Sequence, residues 1–154
     1  MADESLILLG KEIRAKTLRL LEGVSDADAR WAPAGLNNSI IWHAGHSYTV
    51  VEHLAFGGAG AVPKQPDGWM ETFSWKSRPT PETKYPPLAE VVAKLTDQLA
   101  RVTNLVQTLD EARLSQIVDP ARGRTLRFCI LHGWHDEANH QGEIWLLKKL
   151  TSKR

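Results

Sequence analysis

The sequence is poor in the features that mark several large classes of protein. It has a single cysteine, Cys129, among 154 residues, which excludes a disulfide within the chain and a cysteine-rich metal site. Its formal net charge is only +1, so it lacks the broad field that attracts nucleic acid or an anionic membrane. No apolar run approaches the roughly eighteen residues of a membrane span, and charged residues interrupt the first apolar stretch where a signal peptide needs continuity. We therefore predict a single soluble, cytoplasmic domain over residues 1–154, with no nucleic-acid or membrane partner.

Strand-like alternation is also missing, whereas helical periodicity recurs four times along the chain. Apolar residues at intervals of three and four predict helices over about residues 4–23, 39–58, 87–109 and 126–150. Asn38 or Ser39 is a suitable N-cap for the second helix and Thr125 for the fourth, and Pro87 suits the first turn of the third. The pattern predicts an all-α fold, a four-helix bundle.

The second and third predicted helices are joined by a long segment, residues 57–87, that is rich in glycine and proline. A connection of this length is usually functional or contains a short element of its own. The stretch "METFSWK" could form a turn of helix. Trp69 and Trp75 are expected to anchor the segment over one end of the bundle, because burying a large apolar side chain contributes about 1.5 to 3 kcal/mol.

All six histidines fall on two of the predicted helices. The second helix carries His43, His46 and His53, and the fourth carries His132, His135 and His140. Such grouping indicates a candidate functional site, although aromatic-rich helices also bury histidines simply as hydrogen-bonded core residues.

Helical geometry selects one pair in "GWHDEANHQGE". Residues four apart lie within about 40° of each other around a helix, and residues five apart about 140° from each other. His135 and His140 therefore cannot share an ion, whereas Asp136 and His140 can. One histidine of the second helix would complete the set, and periodicity leaves open which one. A set of two imidazoles and a carboxylate suits Zn²⁺, Ni²⁺, Fe²⁺ or Mn²⁺ and leaves positions open for water or substrate.

Two stretches carry a family resemblance: "SIIWHAGHSYTVVEHL" in the second helix and "DEANHQGEIWLL" in the fourth. Together with Trp31 and Pro33 after the first helix, they resemble the DinB-like (DinB/YfiT-like) superfamily of small four-helix metalloproteins, and the resemblance covers most of the chain. It implies a divalent metal ion, zinc or nickel, held by His46, Asp136 and His140. Asp136 stands where relatives often have histidine, and Glu143 where they usually have glutamine. His43 and His132 stay open as an alternative ligand or as hydrogen-bonding partners, and His53 and His135 are not expected to bind the ion.

The resemblance also implies a class of function. Relatives include metal-dependent transferases that use low-molecular-weight thiols of the bacillithiol, mycothiol or glutathione type, so one hypothesis is an enzyme that adds such a thiol to an electrophilic small molecule, or a hydrolase. The other hypothesis is a non-enzymatic, stress-associated or ligand-binding bundle in which a metal is structural or absent. The resemblance implies a homodimer, which the sequence itself does not show.

Overall fold

The computed structural model describes residues 3–153, and within them the fold is mostly helical. Four long helices dominate: α1 (Glu4–Leu21), α3 (Ile40–Val51, prolonged by a π-helical turn over Glu52–Gly57), α5 (Leu88–Thr108) and α7 (Leu126–Thr151). Three short helices connect them: α2 (Asp26–Arg30), α4 (Trp69–Phe73) and α6 (Glu111–Leu114). The four long helices correspond to the four predicted segments.

Local chemistry fixes where the long helices begin. The Ser39 side chain accepts a hydrogen bond from the Trp42 amide at the start of α3, and the Thr125 side chain accepts one from Phe128 at the start of α7. Both predicted N-caps are thereby confirmed, with Ser39 rather than Asn38 in that role. Pro87 was expected within the first turn of α5, but it lies one position before the helix, in an extended conformation with ψ 142°.

The long helices pack against one another in pairs: α7 contacts α1 and α3, and α5 contacts the same two helices. Gly133 on α7 allows α3 to approach closely, because a β-carbon there would lie 3.3 Å from a methyl group of Val51. Cys129 is buried, as is common for a free cysteine, which packs like a small apolar side chain.

A buried ion pair links α1 to α7. The Arg14 guanidinium donates to both carboxylate oxygens of Glu137, at 2.8 and 2.9 Å, and both side chains are 0% exposed. The same guanidinium donates to the Gln98 side chain at 2.8 Å and to the backbone carbonyl of Leu95, both on α5. A charge removed from water is costly unless it is fully paired, so this network ties three helices into one arrangement.

Residues 57–87 contain a short helix of their own, α4, which overlaps the stretch where a turn of helix was predicted and begins one residue before it. Helix α4 packs against α3. Trp69 is buried at 4% exposure, which confirms its role as an anchor, whereas Trp75 is 46% exposed, so the prediction of a second buried anchor is wrong. The Trp75 ring instead lies against His53, with 5.0 Å between ring centroids.

A two-stranded antiparallel hairpin precedes α7, formed by β1 (Ile117–Asp119) and β2 (Arg124–Thr125). Strands of three and two residues are too short to show alternation in the sequence, which is why the all-α prediction does not include them. Among the helices of residues 3–153, none has the length and apolar character needed to cross a membrane.

Candidate metal centre

Helices α3 and α7 bring the three predicted ligands together. The Asp136 Oδ2 atom lies 3.4 Å from His46 Nε2 and 3.5 Å from His140 Nε2. One ligand atom from each residue lies within 4.8 Å of the others. Residues about ninety positions apart in the sequence thus face a common point between two helices.

The chemistry of this group fits a divalent cation. Asp136 Oδ2 is buried and has no hydrogen-bond partner among residues 3–153. Its distances to the two ring nitrogens are longer than those of good N–H···O bonds. A buried carboxylate oxygen is normally paired. Two imidazole nitrogens and one carboxylate oxygen are typical ligands of zinc and of similar divalent ions, so a cation between them would satisfy the unpartnered oxygen.

His46 is held in the orientation that a metal ligand needs. Its Nδ1 atom lies 2.6 Å from the backbone carbonyl of Phe73, at the end of α4. Because a carbonyl only accepts hydrogen bonds, His46 Nδ1 carries the proton and Nε2 is left with a free electron pair facing Asp136. The ring also stacks on Trp42, with 4.6 Å between centroids. The segment between the long helices therefore helps to orient the site.

Replacing Gly45 by alanine is expected to disturb this orientation. A β-carbon at position 45 would lie 2.5 Å from atoms of the buried Phe73 ring, so α4 must shift, and with it the carbonyl that holds His46. We expect a loss of about 1 to 3 kcal/mol in the free energy of unfolding together with weaker metal binding, measured by urea denaturation and by chelator competition. The matched control is Gly142→Ala on α7, where nothing lies within 4 Å and better helix propensity should give up to about 1 kcal/mol of stability. Equal behaviour of the two variants would contradict this account.

His140 is oriented through its other nitrogen. His140 Nδ1 lies 2.5 Å from Glu143 Oε2 and 2.9 Å from His43 Nδ1. The same Glu143 oxygen is 3.1 Å from His43 Nδ1. A carboxylate that accepts from Nδ1 leaves Nε2 free to bind a metal, an arrangement common behind metal-binding histidines. The sequence interpretation gave Glu143 no role, although its position three residues after His140 on a helix was a usable signal.

Truncation of Glu143 should weaken the site without removing a ligand. Glu143→Ala is expected to lower the affinity for a divalent ion by about 10- to 100-fold, the usual effect of losing a carboxylate behind a metal-binding imidazole. Glu143→Gln keeps a hydrogen-bond acceptor and should lose less. The affinities can be measured by competition with a chromophoric chelator, and unchanged affinity in Glu143→Ala would show that His140 does not depend on this carboxylate.

The charges of the site are strongly coupled. Burial opposes ionisation of Asp136, but the neighbouring His140 imidazole outweighs burial and holds the pKa of the Asp136 carboxyl well below its usual range. Burial likewise opposes a charged His140, yet Asp136 and Glu143 raise the pKa of His140 from 6.5 to about 9. The metal-free site is therefore expected to carry a proton on His140 at neutral pH, which an incoming cation must displace.

The raised pKa of His140 predicts how the metal-free protein responds to pH. Because the pKa of His140 is higher in the folded chain than its ordinary 6.5, protonation stabilises the fold fully below pH 6.5, and that stabilisation is lost as the pH rises through about 9. Urea denaturation in a chelating buffer should show wild type losing stability over this range relative to His140→Gln. A constant difference between the two proteins across the range would refute the prediction.

The remaining histidines occupy different positions. His43 lies in a second group with His140 and Glu143, whose ligand atoms also lie within 4.8 Å of one another. His132 is partly buried and stacks on Phe128, with 5.8 Å between centroids. His53 and His135 are exposed and belong to neither group.

A cavity of about 230 Å³ opens beside the ligands. Its lining includes His46 and Asp136 from the site, His132 from α7, Trp75 from the long segment and residues of the hairpin. A small molecule in this cavity would therefore reach the cation-binding group from the side of the hairpin.

Comparison with known proteins agrees with this architecture. A crystal structure of a conserved protein from Enterococcus faecalis is similar with a TM-score of 0.69 at 17% sequence identity, over 100% of this chain and 99% of that one. Similarity at this identity shows the fold alone. No curated protein matches the chain significantly. The family model described as the DinB superfamily matches residues 10–144, which covers most of the chain and includes His46, Asp136 and His140. The chain belongs to the DinB superfamily.

Proposed function

We propose that this protein is a metal-dependent enzyme whose divalent ion, zinc or nickel, is bound by His46, Asp136 and His140. The observation that carries the proposal is the buried, unpartnered Asp136 Oδ2 between two imidazole Nε2 atoms. The four long helices would form the four-helix bundle of a DinB-like protein, and residues 57–87 would be the long loop that connects its second and third helices. A homodimer remains a prediction, to be tested by light scattering.

We further propose that the reaction is the transfer of a low-molecular-weight thiol to an electrophilic small molecule. A divalent ion bound by three protein ligands keeps a position for a fourth group and lowers the pKa of a thiol or water that occupies it. In the reaction the thiol proton is taken up by a base and the sulfur–carbon bond forms. With a haloalkane the carbon–halogen bond breaks and halide leaves; with an epoxide a ring carbon–oxygen bond breaks and the oxygen takes up a proton. His132, which lines the cavity, is the candidate base.

The residues of the chain supply orientation as well as ligands. Phe73 and Glu143 fix which nitrogen of His46 and of His140 faces the centre. The aromatic ring of Trp42 stacks on His46 and limits the movement of its imidazole. Such fixed geometry lowers the cost of reorganisation during a reaction.

The test begins with metal content of the wild-type protein purified without a His tag. We expect one tightly bound divalent ion per chain and turnover of one member of a panel that combines glutathione-, bacillithiol- and mycothiol-type thiols with haloalkane and epoxide electrophiles. Absence of stoichiometric metal would overturn the proposal. A bound ion without turnover in any combination would favour the non-enzymatic, ligand-binding hypothesis instead.

A further inference from the structure

Two arginines of the hairpin line the cavity beside the candidate metal centre. Arg124 belongs to β2, and Arg122 lies in the turn that precedes it. Both contribute to the lining of the 230 Å³ cavity that His46 and Asp136 also line. The cavity therefore has a group of potential metal ligands on one wall and two permanent positive charges on another.

The two arginines differ in their partners. Arg122 donates to the Asp119 carboxylate at 3.1 Å, an ion pair within the hairpin. Arg124 has no carboxylate partner among residues 3–153, and its guanidinium lies over the Phe128 ring, 5.2 Å from the centroid. Packing on an aromatic face holds a guanidinium in place without neutralising it. Arg124 is thus a partly buried cation whose donors are available to a ligand in the cavity.

We propose that this cavity selects small molecules that bear a carboxylate, with Arg124 binding the carboxylate and Arg122 assisting. The inference rests on the proposed function in one respect: the other end of the bound molecule would reach the centre formed by His46, Asp136 and His140. A guanidinium matches a carboxylate through two parallel hydrogen bonds. A phosphate dianion fits less well, because one arginine is already neutralised and Asp119 also lines the cavity.

The carboxylate could belong to the thiol or to the electrophile, and two pairs of probes separate these sources. The first pair is 3-mercaptopropionate and 2-mercaptoethanol, which share a thiol and differ in the carboxylate. The second pair is succinate and dimethyl succinate, which lack a thiol and differ in charge. Calorimetric titration measures the dissociation constant of each probe for zinc-loaded wild type, Arg124→Gln and Arg122→Gln. Arg19→Gln, which changes an exposed arginine on α1, is the matched control.

In wild type and Arg19→Gln, we expect the carboxylate member of at least one pair to bind about tenfold more tightly or better than its neutral partner, since hydrogen bonds between charged groups are the stronger ones. Arg124→Gln should abolish that preference and leave 2-mercaptoethanol binding unchanged, and Arg122→Gln should reduce it. Tighter binding of 3-mercaptopropionate than of 2-mercaptoethanol indicates that the natural thiol carries the carboxylate. If only succinate binds more tightly than its neutral partner, the electrophile carries it. Absence of any preference, or a preference that survives Arg124→Gln, overturns the inference.

Metal analysis of the same samples separates this inference from the proposed function. If zinc is bound but no Arg124-dependent preference exists, the metal centre stands and the carboxylate site falls. If no zinc is bound, titration of the metal-free protein with succinate and dimethyl succinate tests the carboxylate site. Binding of succinate that depends on Arg124 then supports the carboxylate site alone, and its absence overturns it.

Discussion

The His46→Gln variant is expected to lose stoichiometric binding of Zn²⁺ and Ni²⁺. His46 supplies the only ring nitrogen of α3 in the group with Asp136 and His140. Removing one of three expected ligands should lower the metal affinity by more than about 100-fold, which is the upper range for removing a residue that only supports a ligand. Bound metal also stabilises the fold by mass action, by about 2.7 kcal/mol at a free concentration 100 times the dissociation constant. His46→Gln should lose this stabilisation.

Metal content, chelator competition and thermal melts with and without Zn²⁺ measure the effect of His46→Gln. The control is His53→Gln on the same stretch of chain, because His53 is exposed and lies outside both groups of potential ligands. We expect this control to match wild type in metal content and in its melting shift. Unchanged metal binding in His46→Gln, with the protein folded, would show that the ion binds elsewhere.

Glu137→Ala is expected to destabilise the helical core strongly. It leaves the Arg14 guanidinium, which is 0% exposed, without its carboxylate partner, and breaking a buried ion pair from one side costs about 3 to 5 kcal/mol. For a chain of this size the melting temperature should fall on the order of 10 °C. Urea denaturation and calorimetry measure the two quantities.

Two further variants show whether the unpaired charge causes this loss. Glu12→Ala removes an exposed glutamate of α1 and should change stability by less than about 0.5 kcal/mol. Arg14→Met combined with Glu137→Met removes both charges and should be less destabilised than Glu137→Ala, because no buried cation is left unpaired. A double variant as unstable as the single one would assign the loss to packing rather than to charge.

The candidate metal centre was predictable only in part from the residues. The interval between Asp136 and His140 identifies a pair on one helical face, since side chains four apart are neighbours on any regular helix. The supporting roles of Phe73 and Glu143 were not foreseen. Phe73 acts through its backbone carbonyl, which any residue type would supply, so its identity carries no signal. Glu143 had a signal in its spacing from His140, but exposed acids at such spacings are common on helices.

The cavity was less predictable still. Trp75 of the long connection was expected to be a buried anchor, but it lines the cavity as a half-exposed side chain. Arg124 lies on a strand of two residues, which is too short for an alternating pattern to be recognised in the sequence. Its place beside the ligands depends on how the hairpin folds back against the start of α7.

The sequence by itself determined the long helices, the cap at Thr125 and the pairing of Asp136 with His140, because each depends on residues within a few turns of one another. It left Asn38 and Ser39 as alternatives for the cap of α3, and the structure selects Ser39. Periodicity left His43, His46 and His53 equivalent, and the family resemblance selected among them. Only the tertiary structure decided which ring nitrogens face Asp136, what holds them there, and which of the two cavity arginines lacks a carboxylate partner within residues 3–153. These features depend on how distant helices rotate and pack against each other, which is set by contacts between residues far apart in the chain.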